Sequence, residues 1–204
     1  MSGVAIGLHY GKSIAVLATF CAAVAAALSV PPLRSVIEQS MTWHMVFQMP
    51  LLVLAGALAY LALPPRFGTH RLAKLSQFNH FGLTGFMAAQ VIIAYWMLPM
   101  AIDRAVVQPP FDAIKLATLF TSGMLLADAF KRAPSVLQLF FMGYWVSMMC
   151  WLGIYFATTE LRLCNAYSLQ SQVATGWGLL VLGLLLGAVW VAVTGRALIK
   201  IAIK

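Results

Sequence analysis

The chain is short of charge, and shortest of acid. Five Asp and Glu stand among 204 residues, and charged residues of both signs make up only 9%. So few carboxylates leave little for general acid–base work, which needs a positioned proton carrier beside the reacting atom. His-Glu-x-x-His pairs, Gly-rich phosphate loops and nucleophile elbows are also missing. No enzymatic activity is expected. The three cysteines, Cys21, Cys150 and Cys164, are odd in number and poorly spaced for a disulfide framework. Internal repeats and low-complexity tracts do not occur, and the gaps between apolar runs are too short for a soluble domain.

What the chain has is apolar length. Its composition is 62% hydrophobic and its mean hydropathy is +0.91. A soluble core cannot hide that much apolar surface at this size, so the expected solvent is a lipid bilayer. A membrane helix needs about 20 mostly apolar residues. Six stretches qualify: Ser13–Val30, Met41–Leu63, Phe78–Pro99, Phe111–Phe130, Pro134–Thr159 and Val173–Gly195. Prolines or charges bound them, as at Pro31-Pro32, Pro64-Pro65, Pro109-Pro110 and Lys131-Arg132. The runs show no in/out alternation, which argues against a barrel. The expectation is an all-α polytopic bundle of six transmembrane helices forming one domain.

The basic residues fall in alternate gaps. Lys12, Arg66, Arg71, Lys74, Lys131, Arg132, Arg196, Lys200 and Lys204 lie on one side of the expected layout. Only Arg34, Arg104 and Arg162 lie in the opposite gaps, each near an acid. Such a bias marks the cytoplasmic side. Both termini are therefore expected in the cytoplasm, in a bacterial inner membrane. The net charge of +8 follows from this bias and calls for no nucleic acid. The first stretch is expected to stay as an anchor. It is long for a signal-peptide core, and Pro31-Pro32 makes a poor cleavage context.

Ionisable groups inside a span are costly and invite a reason. Asp128, near Lys131 and Arg132, reads as helix-end pairing. Asp112 and Lys115, at i and i+3, can neutralise each other at the start of the fourth helix. His80 reads as an interfacial hydrogen-bonder. His44 is different, because it stands among Met41, Met45, Gln48 and Met49 at the outer end of helix two. Imidazole and thioethers are donors that select copper, above all Cu(I). Further sulfur sits in the expected outer halves, at Met97, Met100, Met148, Met149 and Cys150. Methionine is also an ordinary filler of apolar gaps. Both readings of these residues stay open on composition alone.

Three stretches carry a family resemblance. Trp43-His44-Met45-Val46-Phe47-Gln48-Met49-Pro50-Leu51-Leu52-Val53-Leu54 resembles the signature helix of CtaG-type cytochrome c oxidase assembly factors, which reads His-Met-x-x-His-Met before Leu- and Pro-rich sequence. Tyr95-Trp96-Met97-Leu98-Pro99-Met100-Ala101-Ile102-Asp103-Arg104-Ala105 is similar to that family's Trp-x-x-Pro-x-x-x-Asp-x-Ala segment, and Leu116 to Leu126 resembles the helix after it. The resemblance implies a membrane protein that helps mature a copper-containing oxidase by binding or handing over copper at its extracytoplasmic face. It makes His44 the nitrogen donor, with Met45, Met49, Met97 and Met100 as thioether donors. Asp103 is then expected to tune the site or to interact with Arg104. The chain departs from the pattern in its donors. Gln48 stands for a second histidine, Met97 or Leu98 lies where another is usual, and Asp112 and Lys115 occupy the region of a further pair.

Two other functions compete. A non-catalytic subunit of a larger membrane complex would use Trp43, Trp96, Trp145 and Trp151 as anchors or packing residues. Gly82/Gly85 and Gly183/Gly187 would then be helix-contact faces. A small transporter would need polar residues along its midplane, where this sequence has few.

Overall fold

The computed structural model describes residues 16–17, 19–27, 30, 33, 39–62 and 79–202. Among them no strand occurs. Residues 16–17 and 19–27 are helical. They belong to the first expected span, most of whose remaining residues lie outside the described set, as do both chain ends and Arg66, Arg71 and Lys74. Six longer helices follow. They are α1 (Trp43–Ala62), α2 (Leu83–Trp96), α3 (Pro99–Val107), α4 (Pro109–Arg132), α5 (Ser135–Thr158) and α6 (Leu169–Ala202).

Four of these, α1, α4, α5 and α6, are each long and apolar enough to cross a membrane. A fifth crossing arises if α2 and α3 count as one broken span, bent by 71°. The segment after Pro99 is thus a helix in its own right, where the sequence reading placed only the end of a span and a gap. The reason is local. Leu98 is extended, as a residue before proline prefers, which stops α2, and Pro99 then suits the first turn of a new helix.

The first turns of α1 are wide. Residues Trp43–Gln48 form a π turn, and the Met49 N–H donates to the His44 carbonyl five residues back. Pro50 follows at once. In a regular helix its ring would meet the Val46 carbonyl and its missing N–H would break a bond. The extra residue of a π turn relieves that clash, and such turns recur at functional sites.

The helices pair closely, α1 and α2 each against α4, and α5 against α6. Lipid offers no hydrophobic drive between spans, so close backbone approach through small residues has to hold them. Gly56 and Gly123 show this most clearly. A Cβ on Gly56 would collide with the Phe120 carbonyl, and one on Gly123 with the Val53 carbonyl. Gly153 and Gly176 play the same reciprocal part between α5 and α6. The expected face at Gly183 and Gly187 is also present, against Met149 and Val146. Gly82, at φ 73°, lets the turn before α2 sit on Ala129.

Polar contacts collect at the two ends of the bundle. At one end, called here the histidine end, Met41 N–H donates to Ser171 Oγ at 2.8 Å and Trp96 Nε1 donates to Thr118 Oγ1 at 2.8 Å. At the other, basic end, Asp128 accepts from the Tyr60 hydroxyl, from Asn79 Nδ2 at 2.9 Å and from Arg132 Nε at 2.9 Å. The helix-end pairing read from sequence is therefore present, enlarged by Tyr60 and Asn79. Of His80 only the backbone is described.

Candidate functional site

The histidine end holds a charged cluster shielded from the surroundings. Lys115 and His44 are both 0% exposed and Asp112 is 6% exposed. Lys115 Nζ lies 2.6 Å from Asp112 Oδ1, one turn earlier on α4. The same ammonium lies 3.1 Å from His44 Nε2 on α1. A buried ion pair survives only where geometry is good and further hydrogen bonds satisfy the charges. Here the local pair is supplemented by the imidazole, and Asp112 also sits in the first turn of α4, where the helix dipole favours negative charge.

This geometry sets the tautomer of His44. An ammonium carries three donors and no acceptor. His44 therefore accepts at Nε2 and bears its proton on Nδ1. The edge-on ring of Tyr167, 6.3 Å away between centroids, closes another side of the imidazole.

A loop, residues 159–168, lies over this end and is tied down through its backbone. The Arg162 Nε donates to the carbonyls of Tyr167 at 2.7 Å and Cys164 at 3.2 Å, and its Nη2 to that of Asn165. Asp103 on α3 accepts from the N–H groups of Asn165 at 2.9 Å and Ala166 at 3.2 Å. Gln172 bridges Leu163 and Leu161. Asp103 thus holds the loop, where the expectation was that it tunes the site or interacts with Arg104. Cys164 is buried beneath. Burial, reinforced by the nearby Asp103 carboxylate and opposed by Arg162, pushes its thiol up to about 12. The sulfur stays a thiol at neutral pH.

The expected donors fare unequally. Met45, at 0% exposure, and the buried Met49 and Met97 join one apolar cluster with Met41, Trp96 and Met149. Met100 does not join it and is 72% exposed on α3. Gln48 is buried two residues short of Pro50. Among the described residues no three His, Cys, Asp or Glu side chains gather as a metal site. The His44 Nε2 that a cuprous ion would take already faces the ammonium of Lys115. The side chains of Met45, Met49 and Met97 lie in the apolar core, where a flexible thioether fills irregular gaps.

Sequence reasoning paired Asp112 with Lys115 and missed the link from Lys115 to His44. That link spans 71 positions. Its signal was present: one lysine and one histidine, each near the start of an apolar run and so at the same depth where alternate spans run parallel.

Comparison of the chain with known proteins gives no matching family model, no matching curated protein and no matching solved structure.

Proposed function

We propose that the chain is a membrane accessory protein for biogenesis of a copper-containing oxidase, working at its histidine end by contact with the partner and not by catalysis. The observation that carries this reading is the meeting of three separated stretches at one end of the bundle. Trp43–Leu54 supplies His44. Tyr95–Ala105 supplies Trp96, bonded to Thr118, and Asp103, which ties the loop. Leu116–Leu126 continues the helix that supplies Lys115 and Asp112. These are the same stretches that resemble the CtaG-type assembly factors.

In this reading the histidine end faces the extracytoplasmic side of a bacterial inner membrane, in keeping with the distribution of basic residues. Lys115 stands against His44 where a metal ion would otherwise be held. The end is therefore a docking face stabilised by an internal cation, and no copper resides on His44. The test is to remove the chain from its own cell and measure copper and assembled oxidase in the membranes. Assembly should fall and return with the wild-type chain. Full assembly without it ends this reading. Copper per purified chain should be near zero in both wild type and His44→Ala. Stoichiometric copper that His44→Ala abolishes would overturn the docking reading and restore a metal-holding one.

The Lys115–His44 contact also favours one second reading, a non-catalytic structural subunit of a larger membrane complex. Purification in mild detergent separates the two. A subunit keeps its partners in constant ratio, whereas an assembly factor leaves the finished oxidase.

A further inference from the structure

Between the closely paired helices lies a cavity of about 530 Å³ with an almost wholly apolar wall. It runs along α1 from Met49 to Leu61 and along α4 from Leu119 to Lys131, with Trp145 of α5 and Leu182 of α6 opposite. Twelve helical steps on each wall make it about 18 Å long. That is close to one leaflet's share, about 15 Å, of the hydrocarbon core. Leu54 and Leu61 on the wall are exposed, so the cavity opens sideways to lipid.

The size selects the occupant. The volume lies in the range of small-molecule sites, about 300–1,000 Å³. Its basic end selects a charge. Lys131 lines the cavity there, is exposed, and holds its ammonium 4.7 Å from the centre of the Tyr60 ring. Asp128, the acid on the preceding turn, is engaged by Arg132, Tyr60 and Asn79. Among the described residues Lys131 pairs with no carboxylate. On the same wall the indole N–H of Trp145 is buried and has no acceptor among the described residues. A glycerophospholipid brings a long apolar chain, ester carbonyls that accept hydrogen bonds, and a phosphate.

We propose that this cavity binds one acyl chain of an anionic phospholipid from the basic-end leaflet, with the phosphate held by Lys131. The proposal is independent of any role at the histidine end.

The experiment uses the purified full chain and native mass spectrometry. Phosphatidylglycerol and phosphatidylcholine of matched acyl chains are titrated in turn. One phosphatidylglycerol should bind at least about fivefold more tightly, the value of one basic residue near a membrane surface. Lys131→Ala should bring it down to the phosphatidylcholine level, and Lys131→Arg should restore it. Ala127→Leu, which adds bulk to the cavity wall, should weaken both lipids while circular dichroism holds the helix content constant. Equal affinity for both lipids in the wild type overturns the proposal. So does a Lys131→Ala variant with unchanged preference, an Ala127→Leu variant with unchanged binding, or a dimer whose formation displaces the lipid.

Discussion

Lys115→Met tests the chemistry of the histidine end most directly. The substitution keeps length and apolar bulk but removes the ammonium. Asp112, 6% exposed and 2.6 Å from the lost charge, is then a buried carboxylate that has lost the ammonium beside it. His44 loses the donor that stood 3.1 Å from Nε2. Removing one member of a buried pair costs about 3–5 kcal/mol, because the partner's desolvation is no longer offset. Removing both members behaves differently. Lys115→Met with Asp112→Leu should unfold within about 1 kcal/mol of the wild type, since an apolar pair replaces the ionic one at little net cost. The assay is unfolding in a fixed detergent at neutral pH, followed by far-ultraviolet circular dichroism. A parallel cycle with His44→Leu should return a coupling to Lys115 of about 1–2 kcal/mol. The reasoning is refuted if Lys115→Met alone is as stable as the wild type. That result would mean water reaches the pair and the burial carries no energetic weight.

Three further outcomes follow from the packing and the loop. Gly123→Ala should destabilise by about 1–3 kcal/mol, because its methyl meets the Val53 carbonyl, whereas Gly143→Ala, with nothing within 4 Å, should change stability little or raise it; unfolding of the two variants side by side checks this. Cys164 should resist alkylation in the folded chain at pH 9, and labelling at the rate of an exposed thiol would contradict its burial. The folded thiol keeps its proton to about 12 while an ordinary thiol releases it near 9.0. Its contribution to stability is therefore full below pH 9 and is lost as pH rises through that window. Asp103→Ala should speed proteolytic nicking within residues 159–168 several-fold without lowering helix content, and unchanged cleavage would show that Asp103 does not hold the loop.

The membrane class and most helix positions were legible because twenty-residue apolar runs have few other physical uses. The segments at Pro109–Arg132 and Ser135–Thr158 lie within a few residues of their sequence estimates. The bend at Pro99 was not legible as a bend. A proline marks a stop, but whether the chain then loops or starts a new helix depends on burial of Ala101, Ile102 and Ala105 against the bundle. Asp112 with Lys115 could be read from spacing alone, since i,i+3 neighbours share a helix face. Lys115 with His44 could not, because it depends on how α1 and α4 slide past each other. That register is set where Gly56 and Gly123 touch the opposite backbone, and two isolated glycines carry no pairing code. The thioethers divide for a related reason. Helical spacing places Met45 and Met49 together, but only the bend after Trp96 decides that Met97 turns inward and Met100 outward.

The wide turn at Trp43–Gln48 has a consequence for anyone who edits this chain. Each residue of an α-helix advances the facing direction by about 100°. One surplus residue therefore separates two sections of helix with independent aim. In the section ahead of it the Met41 N–H and the Thr42 hydroxyl meet Ser171 and Thr175, and the section after it keeps Gly56 on α4. Deleting a single position between Val46 and Met49 would restore ordinary helix pitch and swing one section off its target. The segment thus works as a phase shifter, intolerant of changes in length.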